Sequence, residues 1–226
     1  MIIGCIPVGG KGTRLGLPFS KEMLPQKGFD HYKPLIAHTV DKMLEAGAEY
    51  IVFVHGKKYK EGIIDYYSSY NSIHINQKTL GFANVLLDFY RTINLKPEDK
   101  VLFGLPDSIY DGNPFIKILN YSGIVCGLFT TNDETKVDRL NTNGTLFHIK
   151  AEKDKFNQEW FWGVLKFDEI DLAQMIFDNM FSKYTEIGDI LNTYQFRKIK
   201  CNSSYLDVGT WHSFNKYLSI NEDDVI

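Results

Sequence analysis

The chain has 226 residues, 44% of them hydrophobic and 23% charged, with a formal net charge of −3. That length allows one domain with a sizeable core, or a core plus a small lobe, and the composition is that of an ordinary soluble globular protein. The slightly acidic balance speaks against nucleic acid as the main partner, and no apolar run approaches the length needed to span a membrane.

Residues 1–8, MIIGCIPV, form an apolar run closed by Gly9 and Gly10. They read as a buried central strand rather than a signal peptide. LIAHTVDKMLEAG at 35–47 is amphipathic at helical spacing and stops at Gly47. Next come a buried strand (50–54), a helix (58–70), a short strand (72–75), a helix (82–93) and another strand (100–105). This alternation implies parallel strands with right-handed crossovers. The remainder is more mixed. Strands are predicted at 123–130, 144–151, 159–167 and 196–201, a polar loop at 131–143, and helices at 171–181, 186–194 and 211–218. With no repeat, low-complexity tract or linker, residues 1–226 read as a single domain, with an acceptor-binding lobe at about 130–200.

Cys5, Cys126 and Cys201 are widely spaced and suit reduced, buried thiols of a cytoplasmic protein better than a disulfide framework. The six histidines lack metal-ligand spacing, and none is assigned to catalysis.

The stretch VGGKGTRL at 8–15 invites comparison with known phosphate loops. A Walker A loop needs a lysine where Gly10 stands, or, in the shifted register, a hydroxyl where Gly12 stands. A dinucleotide fingerprint would take Gly10 and Gly12 but finds Leu15 at its third glycine. Both fail at the residue with the specific job. What remains is a strand, then G-G-x-G-T-R-L, then SKEMLP at 20–25. Glycine backbone lets N–H groups approach a triphosphate without a side chain in the way.

This pattern resembles the sugar-1-phosphate nucleotidylyltransferases. IPVGGKGTRL followed by KEMLP is similar to bacterial UTP–glucose-1-phosphate uridylyltransferases, and the SK before EMLP to glucose-1-phosphate thymidylyltransferases. FDHYKPLI (29–36), QKTLGFANVL (77–86), VLFGLPDSIYDG (101–112), KAEKDK (150–155), WGVLKFD (162–168), TEIGDILN (185–192) and YLDVGTWHSF (205–214) resemble further family segments in the same order.

The resemblance implies an α/β fold: a Rossmann-like mixed, mainly parallel sheet flanked by helices, of the nucleotide-diphospho-sugar transferase or GT-A-like type. It implies magnesium-dependent transfer of a nucleotide from a triphosphate, pyrimidine favoured, to a sugar 1-phosphate. By the same resemblance the product would serve nucleotide-sugar and polysaccharide biosynthesis in the cytoplasm. Arg14 and Lys21 would be catalytic, meeting the pyrophosphate and the α-phosphate. Val8, Gly9, Gly10, Gly12, Thr13, Gln77, Gly81 and Asp107 would bind the nucleotide, with Gln77 and Gly81 at the base. Asp107 and Asp207 would hold Mg2+, whose preference for hard oxygen ligands they suit. Glu152, Lys153, Trp162, Gly163 and Glu186 would face the acceptor, and Asp189, three residues after Glu186, would share its helix face.

The sequence departs from the family in three places. Only LGLPFS separates Arg14 from Lys21, where relatives carry a longer loop, and the chain ends soon after LDVGT. In EWFWGVLKF (159–167), alternation places Trp160, Trp162 and Val164 on one face and Phe161, Leu165 and Phe167 on the other. Two tryptophans beside the acceptor pocket would stack on a sugar or bind a cation. Transfer to a non-sugar phosphate, from CTP among other donors, is therefore an alternative, as is a nucleotide-sugar-binding module that has lost catalysis. Homo-oligomerisation stays open.

Overall fold

The computed structural model describes residues 1–10, 15–56, 60–79, 81–130, 139–140, 146–147 and 160–219. The first half runs β1 (Ile2–Val8), a 3-10 turn (Lys21–Met23), α1 (Ala37–Glu45), β2 (Tyr50–His55), α2 (Glu61–Tyr66), β3 (Ser72–Asn76), α3 (Asn84–Thr92) and β4 (Lys100–Gly104). There follow β5 (Ser108–Tyr110), α4 (Pro114–Leu119), β6 (Val125–Thr130), β7 (Arg139–Leu140), β8 (Leu146–Phe147) and β9 (Trp160–Asp168). The chain then forms α5 (Glu169–Phe177), α6 (Met180–Lys183), α7 (Ile187–Leu191), β10 (Arg197–Lys200), β11 (Tyr205–Asp207) and α8 (Trp211–Ser219).

The main sheet has the order β10-β6-β9-β4-β1-β2-β3, with β7 and β8 attached beside β9. Pairing along it is parallel except where β9 lies antiparallel between β4 and β6. This is the predicted α/β fold, a mixed and mainly parallel sheet. β9 and β10, from the stretch expected to build a lobe, pair into the same sheet as β1–β4.

Continuous apolar runs suit strands buried on both faces. On one face Ile3, Cys5, Val54 and Phe103 pack with Leu86 and Phe89 of α3, Leu172 of α5 and Ile187 of α7. On the other, Ile6, Val8, Phe53 and Leu102 pack with Val40 and Met43 of α1, Ile63 of α2 and Phe115 of α4. All three cysteines are buried, with no disulfide among them. A third, smaller cluster joins Leu15, Leu24 and Leu35 to Val208 and to Phe214 of α8. It docks Val208 and α8 onto the segment that carries Lys21.

Several elements differ from the sequence reading. The helix expected at 58–70 covers only Glu61–Tyr66. The helix expected at 171–181 breaks at Asn179, which takes φ 59° and separates α5 from α6. β7 falls inside the stretch expected to be loop. Of the strand expected at 144–151, the described residues are Leu146–Phe147.

The facing of β9 also needs correction. Gly127 of β6 pairs with Val164, but Leu128 pairs with Trp162, so Gly163 is an extra residue in a β-bulge. The bulge reverses the alternation. Trp162 packs on the same side as Leu165 and Phe167, while Val164 joins Phe161 on the other. The Cβ of any larger residue at 163 would stand 2.7 Å from the Phe129 ring, so glycine is what allows the close approach there.

Candidate active site

β1 is flanked by β2 on one side and β4 on the other. The chain winds outward from β1 to β3 and then returns to place β4 beside β1. In such sheets ligands bind outside the carboxyl ends of the strands at the reversal. The ends that open there are Val8–Gly9–Gly10 after β1 and Leu105–Pro106–Asp107 after β4.

Gly9 and Gly10 are exposed at this edge, and a Cβ on Gly10 would meet nothing within 4 Å. Gly9 lies against Gly56, the residue after β2: a Cβ on Gly56 would stand 2.9 Å from the Gly9 carbonyl oxygen. Gln77 follows β3 and donates from Nε2 to the Gly81 carbonyl at 2.6 Å. Gly81 has φ +107°, a conformation that favours glycine. The Asp88 carboxylate of α3 accepts from the backbone N–H of Lys78 at 2.7 Å and of Thr79 at 3.0 Å, which pins the same loop. Three strand ends and one helix therefore build the wall where Val8, Gly9, Gly10, Gln77 and Gly81 stand together.

Opposite this wall, β5 and β11 form a two-stranded antiparallel ribbon in which Asp207 pairs with Ser108. The Val208 N–H donates to the Asp107 carbonyl at 2.8 Å. Beneath the ribbon, the Ser108 and Tyr205 hydroxyls are hydrogen-bonded at 2.7 Å, and the Thr39 hydroxyl of α1 donates to the Leu105 carbonyl at 2.7 Å. Burial keeps the Tyr205 hydroxyl protonated far above the usual tyrosine range.

The ribbon brings the two aspartates together. A Cβ on Gly209 would stand 2.8 Å from Asp207 Oδ1 and 3.7 Å from Asp107 Oδ2. Lys21, on the 3-10 turn, forms an ion pair with Asp107. Burial alone would lower the Lys21 pKa, but the Asp107, Glu22 and Asp207 carboxylates outweigh it and raise it, so the ammonium stays charged.

The donor set fits a divalent cation. Two hard carboxylates converge, and glycine keeps the space beside them open. Among the described residues no group of three or more His, Cys, Asp or Glu is placed to hold a metal by itself. The remaining ligands would be phosphate oxygens and water, which is how Mg2+ is usually held.

The other assigned residues are less central. Glu186 is half-buried and precedes α7, while Asp189 is exposed within it. Glu186 is thus the N-cap of α7 and Asp189 lies in its first turn, three residues on. The ring of Trp162 is buried between Phe82 and Phe103, with centroids at 6.5 and 6.4 Å. Lys200 of β10 covers the Trp160 ring at 4.5 Å. Gly12, Thr13, Arg14, Glu152 and Lys153 lie outside the described residues. Three features were missed in the sequence: Asp88, Gly56 and the Glu22–Lys60 ion pair. Only the Gly56 that follows YIVFVH carried a signal, as a glycine at a strand end.

No family model matches the chain. Among solved structures it is similar to a protein described as a glucose-1-phosphate thymidylyltransferase of Bacillus anthracis, in complex with sucrose. The TM-score is 0.76 at 20% identity, covering 98% of this chain and 97% of that one. The chain has the nucleotidyltransferase fold. A UTP-bound UGPase from Acinetobacter baumannii shares this fold with a TM-score of 0.70 at 16% identity, covering 96% of this chain and 92% of that one. Among curated proteins, the nucleotidyltransferase likeness extends to the 2-C-methyl-D-erythritol 4-phosphate cytidylyltransferase of Thermosipho africanus. That match is 44% identical over 59 residues, which is 26% of this chain and 24% of that relative. The chain thus matches about a quarter of the curated relative's length, while the nucleotidyltransferase fold of the two solved structures runs through nearly all of it.

Proposed function

We propose that the chain is a magnesium-dependent nucleotidyltransferase that joins a nucleotide from a pyrimidine nucleoside triphosphate to a sugar 1-phosphate. An oxygen of the acceptor phosphate attacks the α-phosphorus. The bond from that phosphorus to the bridging oxygen breaks, and pyrophosphate leaves with the electron pair. The observation that carries this reading is the convergence of Lys21, Asp107 and Asp207 at the sheet's point of reversal.

The attacking phosphate is already an anion, so no general base is required. The obstacle is charge: two polyanions must be held in line. Lys21 is poised to move from Asp107 to the α-phosphate. Gly9 and Gly10 offer backbone without side chains to the triphosphate, and Arg14 donates to the departing pyrophosphate. Gln77 and the Gly81 backbone hold the base. Glu152, Lys153, Gly163 and Glu186 are assigned to the acceptor, whereas the Trp162 ring, buried between Phe82 and Phe103, is given no stacking role. Asp107 and Asp207 would hold a magnesium ion, which supplies neutralising charge to the phosphates when bound.

A second reading keeps the chemistry and changes the substrates: transfer from CTP to a non-sugar phosphate. The short stretch shared with the cytidylyltransferase favours it.

The test is pyrophosphate release in the presence of magnesium, after thermal unfolding has identified the donor among UTP, dTTP, CTP, ATP and GTP. A ligand at ~100 times its dissociation constant adds about 2.7 kcal/mol, or about 5–10 °C for a domain of this size. One pyrimidine triphosphate is expected to give that shift and to support release with glucose 1-phosphate, and Asp107→Asn to abolish it. Release only with CTP and a non-sugar phosphate selects the second reading. No shift and no release with any donor overturns both.

A further inference from the structure

The residues on either side of Lys21 make contacts of their own. The next residue, Glu22, turns inward and is only 1% exposed. Lys60 Nζ donates to both of its carboxylate oxygens at 2.8 Å, and Ser20 Oγ donates to one of them. Lys60 is the residue before α2. Its backbone N–H donates to His55 Nδ1 at 3.1 Å.

That contact determines how buried His55 and half-buried His74 are protonated. With Nδ1 accepting, neutral His55 carries its proton on Nε2, which lies 2.9 Å from His74 Nδ1. His74 then carries its own proton on Nε2, facing Ser72 Oγ at 3.4 Å, and Ser72 donates to the Tyr67 carbonyl at 3.2 Å. The His74 ring is stacked on Phe53, with centroids 5.1 Å apart. His55 ends β2, and the next residue, Gly56, packs on Gly9. One continuous set of bonds therefore ties the turn bearing Lys21 to the strand end beneath the glycine loop.

We propose that Glu22 and Lys60 are positioning residues that hold the Lys21 ammonium at the reacting phosphate, anchored through His55 and His74. The proposal rests on the reading of Lys21 as an α-phosphate ligand. The pair is made by the residue after Lys21 and by Lys60, neither of which is hydrogen-bonded to Asp107. Besides the negative charge by which Glu22 favours the Lys21 ammonium, the pair sets its position, and a misplacement of about 1 Å from a distant change can cost about a hundredfold in rate; Lys60→Met, which keeps the Glu22 charge, separates the two.

The experiment compares wild type with Glu22→Gln, Lys60→Met and Lys60→Arg. It measures thermal unfolding, kcat and KM for the triphosphate, and acetylation of Lys21 by acetic anhydride read by mass spectrometry. In folded Glu22→Gln and Lys60→Met, kcat is expected to fall about 10–100-fold with KM nearly unchanged, and Lys21 to acetylate faster than in wild type. Lys60→Arg keeps a cation on Glu22 and is expected to restore both readouts. Should Lys60→Met not fold, Glu22→Gln, which preserves shape, gives the same reading. Folded variants with wild-type kcat and wild-type acetylation overturn the proposal. Faster Lys21 acetylation in the variants of a wild type that releases no pyrophosphate would uphold the positioning and sink the nucleotidyltransferase reading instead.

Discussion

Lys21 and Asp107 form an ion pair across 86 positions of sequence, and Asp207 stands close enough to raise the pKa of the same ammonium. One ammonium offsets only one of the two negative charges that converge there. A divalent cation at the aspartates and the phosphates of a substrate would each compete for one half of this pair.

Lys21→Met should therefore destabilise the metal-free protein by about 1–3 kcal/mol, because it leaves partly buried carboxylates uncompensated. Magnesium should recover part of that loss by supplying the missing positive charge. Thermal unfolding of wild type and variant, with and without magnesium, checks this. A stability gap that magnesium leaves untouched would count against the aspartates as a metal site.

Gly56→Ala and Gly209→Ala should behave differently. At Gly56 the new Cβ would stand 2.9 Å from a backbone oxygen and 3.1 Å from the Cα of Gly9, neither of which can rotate away. Overpacking of this kind costs about 1–3 kcal/mol, and it should distort the triphosphate wall. At Gly209 the nearest atom, at 2.8 Å, is the side-chain tip of Asp207. Stability should change by less than about 1 kcal/mol, while the carboxylate is pushed out of place and magnesium affinity drops about tenfold. Unfolding curves and magnesium titrations of both variants separate the two effects.

Lys166 is fully buried in β9. Its ammonium donates to the carbonyls of Tyr121 at 2.9 Å and Gly123 at 3.2 Å and pairs with Asp168. It thereby links β9 to the connection between α4 and β6, away from the reacting groups. Lys166→Met leaves these acceptors without their donor and should cost about 3–5 kcal/mol. KM for the triphosphate in the folded fraction should not move. A comparable change in KM would show that the site and this end of β9 are coupled.

Stability should fall in mild acid. Burial, with Lys42 nearby, depresses the His38 pKa to about 4, and burial with His74 and Lys60 does the same for His55. Both are held neutral in the fold, whereas in the unfolded chain they protonate near pH 6.5. The stabilisation is complete above about pH 6.5 and is lost progressively as pH falls from there to about 4, at up to about 1.4 kcal/mol per pH unit for each histidine. His38 Nε2 accepts the Tyr110 N–H at 3.0 Å. His38→Gln can keep an acceptor there without titrating, so its unfolding temperature should decline less between pH 7 and 5 than that of wild type. Equal declines would remove His38 from the account.

The parallel strands were legible in the sequence because they are buried on both faces and read as unbroken apolar runs. The short elements were not. α4 begins with Asn113 accepting from the N–H groups of Phe115 and Ile116 and with Pro114 in its first turn. That start signal was present but went unread, since only a short helix follows. β5 and β11 have three residues each, too few for any periodicity to show. Alternation along β9 gave the wrong faces past one residue, because a bulge is a property of two paired strands and not of either sequence.

By itself the sequence determined the alternation of the long strands and helices of the first half and the glycines that follow β1. Those follow from local patterning, where burial on both faces demands apolar runs and close backbone approach demands glycine. Only the tertiary structure decided that Lys21 meets Asp107, that Asp207 arrives beside them on a two-stranded ribbon, and that the buried Glu22 carboxylate pairs with Lys60. Such contacts join distant parts of the chain, and their partners are chosen by sheet order and packing rather than by spacing in sequence.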